Sequence, residues 1–398
     1  MAQKAIRECD GKKMLARLIP EYSQGKVKMA DKYAQVKPET DMAKLAAENP
    51  WLSTTKLVAK PDQLMKRRGK GGLVLLNATW EDTKKWLAEK MNKEITVGTV
   101  TGALNTFIVE PFVPHDQSDE YYFAIRSVRE GDEILFYHQG GINVGDVDAK
   151  AEKLVVGILD NVDKADVEGK LLKNAPADRK ATLAAFIRAM FKLYADNGFA
   201  YLEINPIAFV NGEIIPLDLA AKLDDTAGFE CEERWGGIEF PEAFGKKRTP
   251  EEEYINSLDE KSGASLKLTI LNPKGRVWTM VAGGGASVIY ADTVVDLGYA
   301  KELANYGEYS GDPSLDETYE YAKTVLDLMT REKNENGKVL IIGGGIANFT
   351  DVAKTFAGII KALKEFKQKL IDGKVKIFVR RGGPNYQQGL KQMRELGA

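Results

Sequence analysis

The amino-acid sequence predicts an α/β protein in two parts: an α+β region with antiparallel strands, followed by a doubly wound parallel sheet. Three observations lead to this prediction. An Asn-Gly pair at 211–212 joins two strand-like runs, three glycine-rich turns follow apolar runs late in the chain, and a charged, proline-bearing segment at 246–253 separates the two patterns. At 398 residues and 44% hydrophobic content, the chain is long enough for several cores. We expect a first domain at 1–244, a connector at 245–260 and a second domain at 261–398.

Composition argues against several functional classes. The formal net charge is -2, from 56 basic and 58 acidic residues, so no global field favours nucleic acid or an anionic membrane. The sequence contains neither a signal-peptide pattern nor an apolar run of membrane-spanning length. Cys9 and Cys231 are far apart in polar surroundings, which argues against a disulfide framework or a metal site. We expect a cytoplasmic protein without membrane or nucleic-acid partners, in which His115 and His138 are ordinary surface residues.

Two hairpins are predicted in the first region. Strand-like runs at 121–128 and 133–138 flank Arg-Glu-Gly-Asp, and this hairpin is architectural. The other joins 201–210 to 213–218 through Asn-Gly, the strongest two-residue hairpin signal. Counting back from that turn places Asn205 opposite Asp218, with their Cβ atoms about 5 Å apart. Glu203 shares the same face of its strand.

This polar strand face is a candidate Mg²⁺ site. Mg²⁺ prefers hard oxygen ligands and usually joins one or two protein groups to nucleotide phosphates. Asn205 and Asp218 can supply such oxygens. The alternative is a solvated polar face, and Pro206 or Pro216 could introduce a bulge that shifts the register.

A basic loop follows Lys60 and precedes the apolar run 73–76. It contains Lys-Arg-Arg-Gly-Lys-Gly-Gly at 66–72, so its cations can neutralise triphosphate oxygens while its glycines let backbone N–H groups approach. A solvated loop and a nucleic-acid or nuclear-localisation patch are the alternatives. The sequence has neither a Walker A motif nor an aromatic-interleaved nucleic-acid motif, which weakens those rival interpretations.

Glycine-rich turns dominate the second region. They are Ala-Gly-Gly-Gly-Ala-Ser at 282–287, Gly-Gly-Gly-Ile-Ala-Asn-Phe-Thr at 343–350 and Arg-Arg-Gly-Gly-Pro-Asn at 380–385, with a fourth turn at 309–313 before a capping box at 314–317. In a parallel sheet these turns meet at one edge, beside helix N-termini that favour anions. Val288 and Asn348 interrupt the dinucleotide pattern, so NAD is not expected. Asn348, Thr350 and Arg381 suit a small polycarboxylate, unless the glycines serve only tight turns and packing.

Seven segments together resemble the ATP-citrate lyase family, over essentially the whole chain. They lie at 58–64, 66–70, 108–115, 201–206, 261–267, 307–311 and 380–387. The resemblance is to the amino-terminal part of the animal enzyme and to the smaller subunit of two-subunit forms. It implies an ATP-grasp fold for the first region. For the second it implies a citrate-binding, CoA-ligase-like domain of flavodoxin type, similar to the β subunit of succinyl-CoA synthetase.

The resemblance also implies two sets of binding residues and the cofactors ATP and Mg²⁺. The nucleotide set is Lys60, Arg68 and Gly69 on phosphates, Glu110, Phe112 and Val113 around adenine, and Glu120 on ribose. Asn205 and Asp218 would hold Mg²⁺. The citrate set is Gly311, Gly345, Ala347, Asn348, Phe349, Thr350 and Arg381, with Arg381 on a carboxylate. The animal pattern has serine at the position of Gly345, so a side-chain contact to the citrate hydroxyl would be absent.

The activity implied by the resemblance is ATP-driven formation of citryl-CoA. ATP would phosphorylate a histidine, which would pass the phosphoryl group to citrate before CoA displaces phosphate; a further domain would yield acetyl-CoA and oxaloacetate. Neither His115 nor His138 matches the phosphohistidine motif. The histidine, most of the CoA site and the lyase part are therefore expected on a larger partner subunit in an obligate hetero-oligomer. A citryl-CoA synthetase small subunit, a noncatalytic nucleotide and citrate sensor, and a succinyl-CoA-type ligase β subunit are the alternatives.

Overall fold

The computed structural model describes residues 3–65, 68–69, 71–141 and 144–396. The chain divides into two compact units, Met1–Lys246 and Lys247–Ala398. No helix formed by the described residues combines the length and apolar character needed to cross a membrane.

The first unit combines antiparallel strands with helices. Its strands are β1 (Gln3–Ala5), β2 (Lys28–Met29), β3 (Ala34–Val36), β4 (Leu57–Pro61), β5 (Leu75–Ala78), β6 (Glu94–Val97), β7 (Val100–Ala103), β8 (Phe107–Pro111), β9 (Glu120–Val128), β10 (Gly131–Tyr137), β11 (Glu152–Gly157), β12 (Phe199–Val210), β13 (Glu213–Pro216) and β14 (Leu219–Asp224). Its helices are α1 (Glu8–Tyr22), α2 (Met42–Glu48), α3 (Trp51–Thr54), α4 (Trp80–Lys90), α5 (Val147–Lys150), α6 (Val167–Lys170), α7 (Ala177–Asp196) and α8 (Gly228–Trp235).

The strands of this unit form two main sheets. The larger has the order β1-β14-β12-β9-β10-β11, with β13 added beside β12 and β2 beside β13. The smaller has the order β3-β8-β4-β5, and β6 pairs with β7. Every pairing is antiparallel except the short one between β13 and β2 among the described strands. The predicted α+β region with antiparallel pairing is confirmed.

Each sheet has its own apolar core. Leu15 and Ile19 of α1 and Phe186 and Ile187 of α7 are fully buried in the cluster that includes Ile204 of the larger sheet. The apolar positions of α1 recur every three or four residues, so one face of the helix packs inward. Because burial of such side chains dominates folding energetics, this packing fixes α1 close to the strands that carry the site.

The Asn-Gly hairpin has the predicted register. Asn211 and Gly212 both have positive φ, 52° and 76°, which is what a two-residue type I′ turn requires. Val210 pairs with Glu213, and the register irregularity beside Pro206 lies on the opposite side of the strand, between Ile204 and Ile207 against β9. The prolines therefore do not shift the pairing between Asn205 and Asp218, whose backbones are joined by a hydrogen bond of 3.1 Å.

The other hairpin differs in detail from the prediction. Gly131 already pairs with Val128, so the turn is the two residues Arg129–Glu130 rather than four. The glycine serves the sheet instead of the turn: a β-carbon at Gly131 would lie 2.1 Å from the carbonyl oxygen of Val156 on β11.

The expectation of polar surroundings for the cysteines is wrong. Cys9 and Cys231 are both buried, because each lies on the inward face of a helix, α1 and α8 respectively. The residues next to each cysteine in the sequence are polar, and for that reason the sequence did not indicate that the cysteines face inward.

The second unit alternates strands with helices. Its elements are α9 (Pro250–Asp259), β15 (Ser265–Ile270), β16 (Val277–Ala282), α10 (Gly284–Val294), β17 (Asn305–Ser310), α11 (Leu315–Thr330), β18 (Lys338–Gly344), α12 (Val352–Asp372), β19 (Val375–Val379) and α13 (Tyr386–Glu395). Strands β16, β18 and β19 form a parallel sheet in that order, and β15 pairs antiparallel with β17. The core contains Trp278 of β16, Leu340 of β18 and Phe356 of α12. The predicted α/β class is confirmed.

Part of the segment 245–260 is a helix rather than only a connector. Thr249 and Glu252 form a capping box, Pro250 occupies the first turn, and Ile255 is fully buried in the core of the second unit. The acidic run that gave the segment its linker-like composition suits the first turn of a helix, where the macrodipole favours negative charge.

Candidate functional site

Lys60 lies near the end of β4 in a group of buried charges. Its Nζ lies 2.8 Å from Glu8 Oε1 and 3.0 Å from Glu110 Oε1. It also donates a hydrogen bond of 2.5 Å to the Leu217 carbonyl oxygen. The ammonium of Lys60 is therefore satisfied by groups of the first unit itself.

Arg68 and Gly69 belong to the loop that follows β4. Arg68 Nη2 lies 2.7 Å from Glu8 Oε2 and 2.5 Å from Asp218 Oδ1, and Nη1 donates to the Pro61 carbonyl oxygen. A β-carbon at Gly69 would meet open space. Three cations of the predicted phosphate loop lie outside the described residues: Lys66, Arg67 and Lys70.

Two members of this group, Glu8 and Lys12 of α1, were missed by sequence reasoning. Lys12 Nζ lies 2.6 Å from Glu8 Oε1 and 2.7 Å from Glu110 Oε2, and donates at 3.1 Å to the Leu217 carbonyl oxygen. A signal was present, because the opposite charges at i and i+4 fall on the same helix face as the buried Leu15. Charged residues on an apolar face need partners, and these partners come from distant strands.

For Glu8 and Lys12, ion pairing outweighs desolvation. Burial alone would raise the pKa of Glu8, but Lys12, Lys60 and Arg68 together hold that pKa well below its ordinary value. Burial alone would lower the pKa of Lys12, but the carboxylates of Glu110 and Glu8 raise it instead. Glu8 and Lys12 are consequently charged at neutral pH.

The residues predicted to surround adenine and ribose lie in and after β8. Glu110 is buried and uses one oxygen for Lys12 and the other for Lys60, as described above. Phe112 and Val113 are half-buried, and the Val113 carbonyl oxygen accepts from His115 Nδ1 at 2.7 Å. His115 Nε2 lies 3.0 Å from Glu120 Oε1. His115 is thus not the ordinary surface histidine that the sequence predicts.

Both ring nitrogens of His115 face acceptors. A carbonyl and a carboxylate can each only accept, so the ring binds best as the imidazolium, which donates from both nitrogens. Burial lowers the pKa of His115, but the hydrogen bonds to Glu120 and Val113 outweigh burial and raise it. The imidazolium holds the Glu120 carboxylate in place.

Asn205 and Asp218 lie side by side, as the hairpin register requires. Asn205 Oδ1 accepts a hydrogen bond of 2.9 Å from the Gly141 N–H, and Glu203, on the same face, accepts from the Tyr201 hydroxyl at 2.7 Å. The Asp218 side chain is 51% exposed, so its carboxylate can still reach a ligand. No cluster of three or more His, Cys, Asp or Glu side chains suited to a metal occurs within the described ranges. An amide and a carboxylate oxygen at this spacing fit Mg²⁺ shared with phosphates better than a closed protein site.

Gly141 connects two of the predicted ligands and was not identified from the sequence. Besides its bond to Asn205, it adopts φ 90°, and a β-carbon there would lie 2.5 Å from Glu120 Oε2. Only glycine permits this approach of the backbone to the carboxylate. The turn after β10 therefore sets the distance between the candidate ribose and metal positions.

The glycine-rich turns of the second unit come together at the carboxyl edge of the parallel sheet. Ile346 forms a bridge with Gly382, and the Ala347 N–H donates to the Gly382 carbonyl oxygen at 2.9 Å. The first turn is adjacent, because the Tyr290 hydroxyl of α10 lies 3.4 Å from the Gly344 nitrogen. Helix α12 begins here with Asp351 as its N-cap. The prediction that these turns share one edge is confirmed.

Two adjacent arginines at this edge have no carboxylate partner in the part of the chain that the structure describes. Arg380 Nη1 donates to the Gly344 carbonyl oxygen at 2.6 Å, and Arg381 Nη1 donates to that of Gly345 at 2.5 Å. Burial and the neighbouring Arg380 lower the pKa of Arg381. Arg381 is partly buried and Arg380 is exposed, and guanidinium groups without a described carboxylate partner beside a helix N-terminus favour an anion.

The other predicted citrate residues surround this arginine loosely. Ala347 is half-buried, Asn348 and Phe349 are exposed, and the side chains of Asn348 and Thr350 form no hydrogen bond within the described residues. A β-carbon at Gly345 would have no atom within 4 Å apart from its chain neighbours. Gly311 has φ 75° and approaches the backbone of Ala264 in the fourth turn.

Family models match nearly the whole chain. The ATP-citrate synthase ATP-grasp domain matches residues 2–235, and the ATP citrate lyase citrate-binding domain matches residues 246–398.

Curated relatives fall into two length classes. The ATP-citrate synthase of Homo sapiens is 56% identical over 397 residues, covering 100% of this chain and 36% of the human protein. The probable ATP-citrate synthase subunit 2 of Schizosaccharomyces pombe is 48% identical, covering 100% of this chain and 93% of that protein. The chain thus spans about a third of the length of the animal relatives that it matches.

A solved structure is similar over the same extent. The ATP citrate lyase of Methanothrix soehngenii, in complex with citrate and coenzyme A, is 56% identical with a TM-score of 0.91, covering 100% of this chain and 94% of that one. Together with the two family domains, this shows that the chain belongs to the ATP-citrate synthase (ATP-citrate lyase) family.

Proposed function

We propose that this chain is the ATP-binding and citrate-binding subunit of an ATP-citrate lyase. The arrangement at the glycine-rich edge of the second unit is the observation that supports this most directly. Arg381 is partly buried and lacks a carboxylate partner among the described residues, and the turns that carry Asn348 and Thr350 lie beside it. A small polycarboxylate would supply the missing negative charge and accept from these side chains.

In the first unit, Lys60, Arg68 and Gly69 would hold the nucleotide phosphates. Glu110, Phe112 and Val113 would line the adenine pocket, and Glu120, held by His115, would bind ribose. Asn205 and Asp218 would hold Mg²⁺, which neutralises phosphate charge when bound. The protein thereby positions the terminal phosphoryl group and neutralises its charge, and these two effects supply most of the catalysis of phosphoryl transfer.

The reaction also needs a phosphoryl carrier and CoA. A histidine nitrogen would take the phosphoryl group as ADP leaves, a citrate carboxylate would then take it from the histidine, and the CoA sulfur would displace phosphate to leave citryl-CoA. Neither histidine of this chain is suited to carry the phosphoryl group: His115 is bound at both nitrogens, and the ring of His138 packs at 4.6 Å from that of Tyr137. We therefore place the carrier, the main CoA site and the lyase step on a larger partner subunit. The subunit name of the yeast relative is consistent with such a partner.

The test is citrate-dependent ADP formation by the purified chain with and without its co-purified partner, with oxaloacetate measured in parallel. We expect sustained turnover only with the partner, and oxaloacetate among the products. Turnover by the isolated chain would contradict the division of labour. ADP without oxaloacetate would indicate a citryl-CoA synthetase, and binding without ADP formation would indicate a sensor.

The citrate assignment is tested by calorimetry with Arg381→Ala. Loss of one charge-assisted contact should weaken citrate binding by about ten- to a hundredfold. Lys376→Ala, which removes an exposed cation of β19, the strand that precedes Arg381, is the matched control and should bind citrate as the parent chain does. Succinate binding without citrate binding would favour a succinyl-CoA-type ligase.

A further inference from the structure

Two lysines of the first unit share one set of acceptors. Lys12 and Lys60 each contact Glu8 Oε1, each contact one oxygen of Glu110, and each donate to the Leu217 carbonyl oxygen. Their six distances all lie between 2.5 and 3.1 Å. One lysine would suffice to hold these groups together, so the second requires an explanation.

The two lysines differ in what else they can reach. The Lys12 side chain is completely buried on α1, where Glu8 lies one helical turn away, and the Tyr33 ring covers its ammonium at 5.5 Å. Lys60 is 7% exposed and neighbours the loop that carries Arg68 and Gly69. Lys12 is thus confined to its present partners, whereas Lys60 lies where the proposed nucleotide phosphates would arrive.

The charges of the group are balanced within the protein. Lys12, Lys60 and Arg68 face Glu8, Glu110 and Asp218, which gives three positive and three negative charges among side chains in direct contact. Glu8 contacts all three cations, two through Oε1 and one through Oε2. Phosphate oxygens must therefore compete with Glu8 for Lys60 and Arg68.

If Lys60 were the only lysine beside Glu8 and Glu110, its movement to a phosphate would leave a buried carboxylate without an ammonium partner. An unpaired charge in a dry environment is strongly disfavoured, so the lysine would be retained and the phosphates would bind weakly. A second ammonium on the same oxygens removes this difficulty, because Glu8 and Glu110 remain paired after Lys60 turns away.

We propose that Lys12 is a positioning residue for nucleotide binding: it is the permanent counter-ion of Glu8 and Glu110, which frees Lys60 and Arg68 to bind phosphates. This inference rests on the proposed nucleotide site. Glu8 acts in the opposite sense, since it holds the same two cations while the site is empty. Lys12 and Glu8 together determine how readily Lys60 and Arg68 leave their carboxylate partners to bind phosphates.

Calorimetric titration of the full chain with Mg²⁺ and a non-hydrolysable ATP analogue tests this. Lys12→Met should weaken binding by about tenfold or more, because Lys60 is then the remaining ammonium on two carboxylates. Glu8→Gln should tighten binding by several-fold, on the order of one weakened hydrogen bond. The double variant, in which the charges balance again, should recover most of the affinity lost in Lys12→Met.

If Lys12 and Glu8 form an ion pair that only stabilises the fold, the variants should affect binding of the analogue differently. Each single change would then weaken binding, and the double variant would be no better than Lys12→Met. Weaker binding by Glu8→Gln, or an absence of recovery in the double variant, would overturn the proposal. If Lys12→Met does not fold, the direction of change in Glu8→Gln decides alone. Lys338→Met removes another buried lysine, in the second unit, and controls for the loss of a buried ammonium.

Lys60→Met separates this inference from the proposed function. If this variant binds the analogue as tightly as the parent chain, the nucleotide site itself is misassigned. If Lys60→Met loses binding of the analogue and Glu8→Gln also weakens that binding, the proposed nucleotide site is retained and the counter-ion role of Lys12 is wrong.

Discussion

Single residues decide how completely each candidate site is prepared for its ligand. In the first unit Lys60 and Arg68 are already paired with carboxylates, whereas the hydrogen bond that Arg381 forms with the described residues of the second unit goes to a backbone carbonyl. Lys60 and Arg68 of the proposed nucleotide site must therefore exchange partners when a ligand binds, whereas Arg381 of the proposed citrate site would gain a partner. Two further residues allow tests at this scale: Gly345 for citrate affinity and His115 for the pH dependence of stability.

Gly345→Ser should be accepted by the fold and should strengthen citrate binding. Its β-carbon meets open space, and the added hydroxyl could donate one hydrogen bond, which is worth about two- to tenfold in affinity. Calorimetry with citrate measures the change. Unchanged affinity with unchanged thermal stability would mean that the position does not face the ligand. Gly383→Ser is a contrasting variant, because its β-carbon would lie 2.6 Å from that of Ala347 and should destabilise the turn.

His115 should give the stability of the first unit a pH dependence near neutrality. Its pKa is raised, so the imidazolium contribution is fully present below the ordinary value of about 6.5 and is lost as pH rises through the raised value. His115→Asn should remove this loss from the free energy of unfolding, measured with urea between pH 6 and 9. The ring of His138 packs against Tyr137, so the control variant His138→Asn should retain the pH dependence of the parent chain. Parallel curves for His115→Asn and the parent chain would contradict the assignment.

At the level of elements, helix α1 supports the proposed nucleotide site. Its own N-cap, Arg7, forms no side-chain capping bond. Asp62, just after β4, replaces that cap by accepting from the Glu8 and Cys9 N–H groups at 2.8 and 3.3 Å. One carboxylate thus joins the helix that carries Glu8 and Lys12 to the strand that carries Lys60.

Asp62→Asn should change the pH dependence of stability in the acid range. Burial and the neighbouring Glu8 raise the pKa of Asp62 to about 6, above its ordinary 3.8. A raised pKa means that the favourable contribution of the protonated form is present below about pH 4 and is lost as pH rises through about 6. The free energy of unfolding of the parent chain, relative to Asp62→Asn, should fall by on the order of 3 kcal/mol between pH 4 and pH 7. A constant difference across this range would show that Asp62 does not titrate there.

For the whole molecule, the two proposed ligands use separate units with separate cores. Lys60→Met should therefore abolish binding of the Mg²⁺-nucleotide analogue and leave citrate binding intact. Arg381→Ala should do the reverse. Paired titrations of both variants with both ligands measure this. Loss of both ligands in either variant, with folding preserved, would mean that the sites are not independent.

Features that depend on local order in the chain could be predicted from the amino-acid sequence alone. Asn-Gly specifies its turn through the positive φ of both residues, and a two-residue turn fixes which residues face each other, so Asn205 and Asp218 could be paired by counting. The glycine-rich turns were recoverable for a similar reason: parallel strands bring successive turns to one edge. Family resemblance supplied the residue sets that neither pattern could name.

The contacts between side chains that are far apart in sequence could be identified only from the folded structure. Glu8 and Lys12 of α1, Glu110 and Asp218 come from three separate segments, and charged residues on a helix usually face solvent. Gly141 and Asp62 likewise act on groups far away in the chain. Periodicity reports which face of an element is apolar, but the partner of a buried charge is fixed by how whole elements pack. The charge balance around Lys60 is for that reason a property of the fold.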